Sequence, residues 1–116
     1  MKITITELED YLYDHYKDGG IDQSLFMKLV EEMGEVAEVL NKKAGRKSTE
    51  NEDLQDELGK ELANVVHYAV AIAALNGIDM NEVMIEKDKT ASVKYKHRTN
   101  LEQFVIDSRN GKADSF

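Results

Sequence analysis

The chain has 116 residues, no cysteine and a formal net charge of −8. This length is typical of one domain, the lack of cysteine excludes disulfides and thiolate metal sites, and the acidic balance argues against nonspecific nucleic-acid binding. Because no apolar run approaches the ~20 residues that span a bilayer and residues 1–5 do not resemble a signal peptide, we predict a cytoplasmic protein without membrane partners.

Helical periodicity runs through most of the chain, and glycines rather than prolines mark the breaks. Thr6 and Glu9 have the spacing of a capping box for a first helix, which we expect to end at residues 18–20. The apolar positions of this helix recur at fourfold spacing, at Leu8, Leu12 and Tyr16.

The second helix is predicted to begin near residues 22–24 and to run to about Ala44, where Gly45 would stop it. Its apolar positions follow the three- and four-residue spacing of an amphipathic helix. The predicted stripe consists of Leu25, Leu29, Met33, Val36 and Leu40, and Phe26, Val30 and Ala37 widen it.

The third helix is predicted to follow a capping box formed by Thr49 and Glu52 and to end at Asn76, with Gly77 as its cap. Residues 62–75 are apolar nearly all round, which is typical of a helix that is buried on several sides. In a chain of this size, that pattern predicts a partner subunit. The predicted stripe consists of Leu54, Leu58, Leu62, Val65, Ala69 and Ile72.

The fourth helix is predicted to begin at a capping box of Asp79 and Glu82 and to fade near Lys94. Together these elements predict an all-α fold, a four-helix bundle over residues 1–96 that dimerisation or tetramerisation completes. Residues 97–116 are predicted to form a polar C-terminal tail or docking arm. The apolar residues of that segment, which favour a short strand or a docking surface, are Leu101, Phe104, Val105 and Ile106.

Acidic side chains interrupt the apolar stripes of the second and third helices. Glu32 lies within the stripe of the second helix, and Glu35 follows on the same side. Glu61 and Asn64 repeat this relation in the third helix, so the four side chains converge if the two stripes face each other. Such oxygen ligands favour Mg²⁺ or Mn²⁺ over zinc. The competing interpretation is an amphipathic surface on which Lys28 forms an ordinary pair with Glu32.

Three segments resemble motifs of the MazG-like, all-α nucleoside triphosphate pyrophosphohydrolases. Residues 29–38 (LVEEMGEVAE) are similar to that family's L-x-E-E-x-G-E-L-A-E. Residues 61–66 (ELANVV), followed by residues 76–79 (NGID), are similar to its E-L-x-D-V-L and G-I-D. The resemblance covers residues 20–90 and includes a gap of twenty-five residues between the acidic motifs. Asn64 departs from the pattern, because the family usually has Asp there.

The resemblance implies a house-cleaning hydrolase that converts a nucleoside triphosphate to the monophosphate and pyrophosphate with Mg²⁺, or alternatively Mn²⁺. It implies that Glu32 or Glu35 accepts the proton of the attacking water. The metal ligands that it implies are Glu32, Glu35, Glu61 and Asn64. The candidate phosphate contacts are Lys28, Lys87 and Lys89, and the expected partners are the nucleotide and one or three further copies of the chain.

Three other interpretations stay open. Asn64 brings no negative charge to a metal, so the chain can instead be a MazG-like nucleotide-binding or helical interaction protein whose activity is weakened or lost. Alternatively, an active site relies more on Glu57, four residues before Glu61. The third interpretation is a purely structural bundle with solvated acids. On the first helix, Leu12 and Tyr16 are candidates for lining a base pocket, and His67 is expected to be a satisfied core or interface residue.

Overall fold

The computed structural model describes residues 1–45 and 53–114, and within them the chain forms five α-helices and no strand. The prediction of an all-α fold is confirmed, with five helices in place of four. The helices are α1 (Ile5–Tyr16), α2 (Asp22–Lys43), α3 (Leu54–Leu75), α4 (Met80–Lys94) and α5 (Leu101–Asp114). The chain divides into two compact units, Met1–Ile78 and Asp79–Phe116.

The α1 helix begins at a capping box two residues before the predicted one. The Thr4 hydroxyl accepts the Glu7 N–H at 3.1 Å, and the Glu7 carboxylate accepts the Thr4 N–H at 2.7 Å. Both hydrogen bonds lower the pKa of the Glu7 carboxyl, and the bond from the Thr4 backbone has the larger effect. The sequence contains two overlapping capping boxes, and the prediction at Thr6 was wrong because the earlier one also brings Ile5 into the helix.

Glycines with positive φ follow α2 and α3. Gly45 has a φ of 76° and Gly77 a φ of 65°, a conformation that glycine adopts without steric cost. Beyond Gly77, the Ile78 N–H donates to the Ala73 carbonyl at 3.0 Å, which closes the end of α3. Both glycine stops are therefore confirmed.

Aspartates cap the starts of α3 and α4. The Asp53 carboxylate accepts the Asp56 N–H at 3.0 Å, and the Asp79 carboxylate accepts the Asn81 N–H at 2.9 Å. A carboxylate at this position satisfies a free N–H group and interacts favourably with the helix dipole. The capping box predicted at residues 49–52 lies outside the described residues.

The core of the first unit joins α1, α2 and α3 through buried apolar side chains. Leu12 of α1 is fully buried, and Leu25 of α2 and residues 70–71 of α3 surround it. Since Leu12 has no exposed surface, it stabilises the packing of α1 and does not line a ligand pocket. This small core orients the long helices that carry the acidic residues.

The buried side of α2 differs from the predicted stripe. Val39 is buried although the stripe did not include it, whereas Met33 and Leu40 are 56% and 48% exposed. The buried line instead follows alternating steps of three and four residues and passes through Glu32, which is half-buried. This is the narrow seam of two packed helices, and the apolar residues that flank it remain on the surface.

The apolar half of α3 is also only partly covered. Leu62 and Val66 are 46% and 49% exposed, although the pattern predicts a helix that is buried on several sides. Within the described part of the chain, α3 alone is long and apolar enough to cross a membrane, judged by length and composition. Core helices of soluble proteins meet the same criterion, so the absence of a membrane partner stays a prediction.

The second unit contains α4 and α5. Helix α5 occupies the segment in which the apolar residues favoured a short strand, so that alternative was wrong. The Asn100 side chain accepts the Gln103 N–H at 2.8 Å, and the Asp88 carboxylate accepts the Leu101 N–H at 2.5 Å. These bonds satisfy N–H groups of the first turn of α5. The predicted domain boundary at residue 96 stays a prediction.

Candidate functional site

Helices α2 and α3 pack side by side in antiparallel orientation. As residue numbers rise along α2, those of its contacts in α3 fall, which sets both the direction and the register. The side-chain contacts join Asp22 to Asn76 at 3.1 Å, Glu32 to Asn64 at 3.1 Å and Lys43 to Gln55 at 3.0 Å. The acidic motifs therefore meet near the middle of the helix pair.

The predicted metal ligands come together at this seam. The Asn64 Nδ2 atom donates to the Glu32 Oε2 atom at 3.1 Å. The pKa of the Glu61 carboxyl is raised, first by a hydrogen bond with Glu32 and then by burial and by the charges of Glu32 and Glu35. The Asn64 amide partly offsets this rise. Glu32 and Glu61 are half-buried, whereas Glu35 and Asn64 are exposed. The cluster is thus open to solvent on one side.

The acids of this cluster suit a hard divalent cation. Within residues 1–45 and 53–111, no three acidic or histidine side chains already have an arrangement that holds a metal ion. However, the neighbouring carboxylate of Glu32 raises the pKa of Glu61, and a cation between the two would relieve that repulsion. The oxygen donors are those that Mg²⁺ prefers.

Glu57 adds a second observation in favour of a cation. Its Oε2 atom is buried and has no hydrogen-bond partner among the described residues. A buried carboxylate oxygen without a partner is costly unless a cation or a proton compensates its charge. Because Glu57 precedes Glu61 by one helical turn, it lies on the same side of α3.

The three candidate phosphate-binding lysines have different surroundings. Lys28 pairs with Glu31 at 3.3 Å rather than with Glu32, and both members of the pair are exposed. Lys89 pairs with Glu102 at 3.2 Å, and the hydrogen bond and charge of Glu102 raise the pKa of Lys89. Lys87 is exposed on α4. Thus Lys28 shares a compact unit with the acids, whereas Lys87 and Lys89 belong to the second unit.

A cluster of rings lies next to the acids along α3. The Tyr16 hydroxyl and the His67 Nε2 atom are 2.7 Å apart, and His15 and Tyr68 pack edge-on against these two rings. Burial, followed by the charge of His15, lowers the pKa of His67. His67 follows Asn64 by three residues, so it occupies the same side of α3, one turn further along.

The sequence identified Tyr16 and His67 separately but did not predict their contact. The two residues are 51 positions apart in different helices, and no periodic pattern relates α1 to α3. The fourfold spacing of Leu8, Leu12 and Tyr16 was the available signal, since it places Tyr16 on the side of α1 that faces the core.

A model of the protein family described as the MazG nucleotide pyrophosphohydrolase domain matches residues 22–100, which is more than half of the chain. The matched segment contains α2, α3 and α4, and therefore the whole acidic cluster. Helices α1 and α5 lie outside it, so the Tyr16 contact with His67 joins a matched to an unmatched helix. Neither the curated proteins nor the solved structures include a match to this chain.

Proposed function

Because the chain belongs to the MazG nucleotide pyrophosphohydrolase family, we propose that it hydrolyses a nucleoside triphosphate to the nucleoside monophosphate and pyrophosphate. The observation that carries this proposal is the meeting of Glu32, Glu61 and Asn64 across the α2–α3 seam, with Glu35 close enough to act on Glu61. Three carboxylates in one open cluster have the charge and the oxygen donors that a metal-bound polyphosphate requires.

Glu32, Glu35 and Glu61 are the residues that would hold Mg²⁺, or alternatively Mn²⁺, and Asn64 can add its amide oxygen. Such an ion neutralises polyphosphate charge and positions water when it is bound. We assign the general base to Glu35, because Glu35 is exposed to solvent whereas Glu32 is half-buried. The water oxygen attacks the α-phosphorus, the bond to the pyrophosphate oxygen breaks, and the Glu35 carboxylate accepts the proton of the water.

The phosphate tail needs further positive charge, for which the lysines remain our candidates. Lys28 lies on α2, one turn before Glu32. Because its exposed pair with Glu31 contributes little stability, a phosphate can replace Glu31 at little cost. Lys87 and Lys89 are the candidates on α4.

The ring pair of Tyr16 and His67 is our candidate for the base-binding surface. His67 lies six residues after Glu61 on α3, a rise of about 9 Å along the helix axis. A polyphosphate at the acids would therefore place the base near these half-buried rings, which offer a stacking surface.

We further propose that the protein acts as a cytoplasmic homodimer or homotetramer. The flanks of α2 and α3 expose more large apolar side chains than a monomer usually does. A second copy of the chain would cover them, and light scattering after size-exclusion chromatography would measure the state. The exposed side chains are Phe26, Met27, Val30, Met33, Leu40, Leu62 and Val66.

The experiment that tests this function is a pyrophosphate-release screen over natural and damaged nucleoside triphosphates, with Mg²⁺, with Mn²⁺ and with EDTA. We expect metal-dependent release from at least one nucleotide. We expect Glu35→Gln to lower kcat by about 10²-fold or more, as loss of a general base does. The control is Asp14→Asn, which removes an exposed acid of α1 that pairs with Lys17.

The alternative function is nucleotide binding without hydrolysis, and the amide of Asn64 is the observation that favours it. It predicts that a nucleotide binds in calorimetry while no member of the panel releases pyrophosphate with either metal. That result would contradict the proposed hydrolase. Recovery of turnover in Asn64→Asp would then show that the missing carboxylate is the cause.

A further inference from the structure

We propose that Asn64 is a neutral clamp, which ties Glu32 of α2 to α3 beside Glu61 when no cation is bound and must release Glu32 before Mg²⁺ binds. This inference rests on the proposed function, because it assumes that the acidic cluster is the metal site. It makes Asn64 a positioning residue and gives this chain a site that is ordered without metal but binds metal weakly.

The geometry of the amide supports the clamp. A carboxylate only accepts hydrogen bonds, so the group of Asn64 that faces Glu32 at 3.1 Å must be the N–H₂ group. Asn64 follows Glu61 by one helical turn, so its amide lies beside that carboxylate on the same side of α3. One neutral amide thus stands where two carboxylates that would repel each other meet.

An aspartate at position 64 would reverse this balance. At neutral pH its ionised carboxylate has no hydrogen to donate to Glu32, and it would add a further negative charge to the cluster. The cluster would then depend on a cation for its stability, and it would bind that cation more tightly because the ligand charge is greater. Asparagine therefore lowers the affinity of the cluster for metal, but it keeps the cluster ordered when no metal is bound.

The α2–α3 pair contains a second amide–carboxylate contact, which lies outside the acidic cluster and provides a control. The Asn76 Nδ2 atom donates to both carboxylate oxygens of Asp22, each at 3.1 Å. This contact also joins an amide of α3 to a carboxylate of α2. It involves a single carboxylate, so it has the chemistry of the clamp without the group of acids that would attract Mg²⁺.

The test compares the thermal unfolding of Asn64→Asp and Asn76→Asp, without nucleotide, in EDTA and in excess Mg²⁺. In EDTA we expect both variants to have a Tm about 4 °C or more below that of the unchanged protein, since each replaces a hydrogen bond by repulsion. We expect Mg²⁺ to restore the Tm of Asn64→Asp but not that of Asn76→Asp. Calorimetry should show about tenfold tighter Mg²⁺ binding by Asn64→Asp.

A polarity-reversed pair provides a second measurement. In the double variant Glu32→Gln with Asn64→Asp, the glutamine can donate to the aspartate, so the bond is retained in the opposite direction. We expect its Tm in EDTA to exceed the value obtained by adding the separate Tm shifts of Glu32→Gln and Asn64→Asp, a coupling that independent sites would not show.

Two results would overturn the clamp: an unchanged Tm of Asn64→Asp in EDTA, or equal effects of Mg²⁺ on Asn64→Asp and Asn76→Asp. Neither measurement involves hydrolysis. A protein that passes both tests but releases no pyrophosphate would retain the clamp and lose only the proposed activity.

Discussion

The Tyr16 hydroxyl lies 2.7 Å from the His67 Nε2 atom and joins α1 to α3 across 51 residues of sequence. Both side chains are half-buried, and their rings meet edge-on with centroids 5.7 Å apart. Because the matched family segment begins after α1, this bond is a polar connection that helps to fix an additional helix beside the acidic cluster. It leads to the first two predictions.

The stability of the protein should fall in mild acid because of His67. Burial, and then the charge of His15, lowers the pKa of His67 in the folded state. As the pH falls below about 6.5, the unfolded chain therefore takes up the proton first, and the contribution of neutral His67 is lost between that pH and its lowered pKa. Urea unfolding across this range should show a weaker pH dependence in His67→Gln.

The matched control for that experiment is His97→Gln, since His97 is exposed. Its pH dependence should equal that of the unchanged protein. An identical pH dependence in the His67 variant and in the unchanged protein would contradict the assignment.

Removing the hydroxyl of Tyr16 should destabilise the protein modestly. Tyr16→Phe retains the ring packing but leaves the half-buried His67 nitrogen without this partner. We expect a loss of about 1 kcal/mol in the free energy of unfolding. Tyr13→Phe is the control, because Tyr13 is exposed on the same helix, and its unfolding should change by less than about 0.5 kcal/mol. Equal effects of the two substitutions would show that the bond contributes nothing.

Alanine should be tolerated at Gly19 but not at Gly20. A Cβ atom at Gly20 would lie 2.8 Å from the Tyr16 Cβ atom, 2.9 Å from the Tyr16 carbonyl oxygen and 2.8 Å from the Leu75 side chain. Since the Tyr16 backbone cannot move without shifting the end of α1, we expect Gly20→Ala to cost about 1–3 kcal/mol. At Gly19 no atom lies within 4 Å, and chemical denaturation should show little change for Gly19→Ala.

Alanine should instead stabilise the protein at two glycines that lie inside helices. A Cβ atom at Gly34 of α2 or at Gly59 of α3 meets no atom within 4 Å. Each change to alanine should therefore stabilise the chain by about 0.5–1 kcal/mol through helix propensity. Thermal unfolding and light scattering would measure both variants. A loss of stability at Gly34 alone, with smaller particles, would mean that another copy packs closely on that face of α2.

Local signals explain why the helices were largely predictable. The stops at Gly45 and Gly77 and the cap at Asp79 depend on residues within one turn of the helix end. The shifted start of α1 shows the limit of such signals, because two overlapping capping boxes satisfy the same rule. Helix α5 was missed because its apolar residues are few and do not form a long periodic stripe.

Burial was less predictable than helix position. The sequence of α2 offers apolar residues on a wide surface, and Met33 and Leu40 fit the helical period as well as Val39 does. Only packing against α3 selects the narrow line that contains Val39. The same packing determines that Lys28 pairs with Glu31 and that Glu32 instead faces Asn64.

The sequence by itself determined which residues share a helix face, and therefore that two pairs of polar residues interrupt the apolar stripes, namely Glu32 with Glu35 and Glu61 with Asn64. The reason is that helical spacing is a local property of the backbone. Only the tertiary structure decided what lies between the pairs, namely the Asn64 amide directed at Glu32, and which ring meets His67. Contacts between helices depend on register and on side-chain packing, which no local spacing specifies.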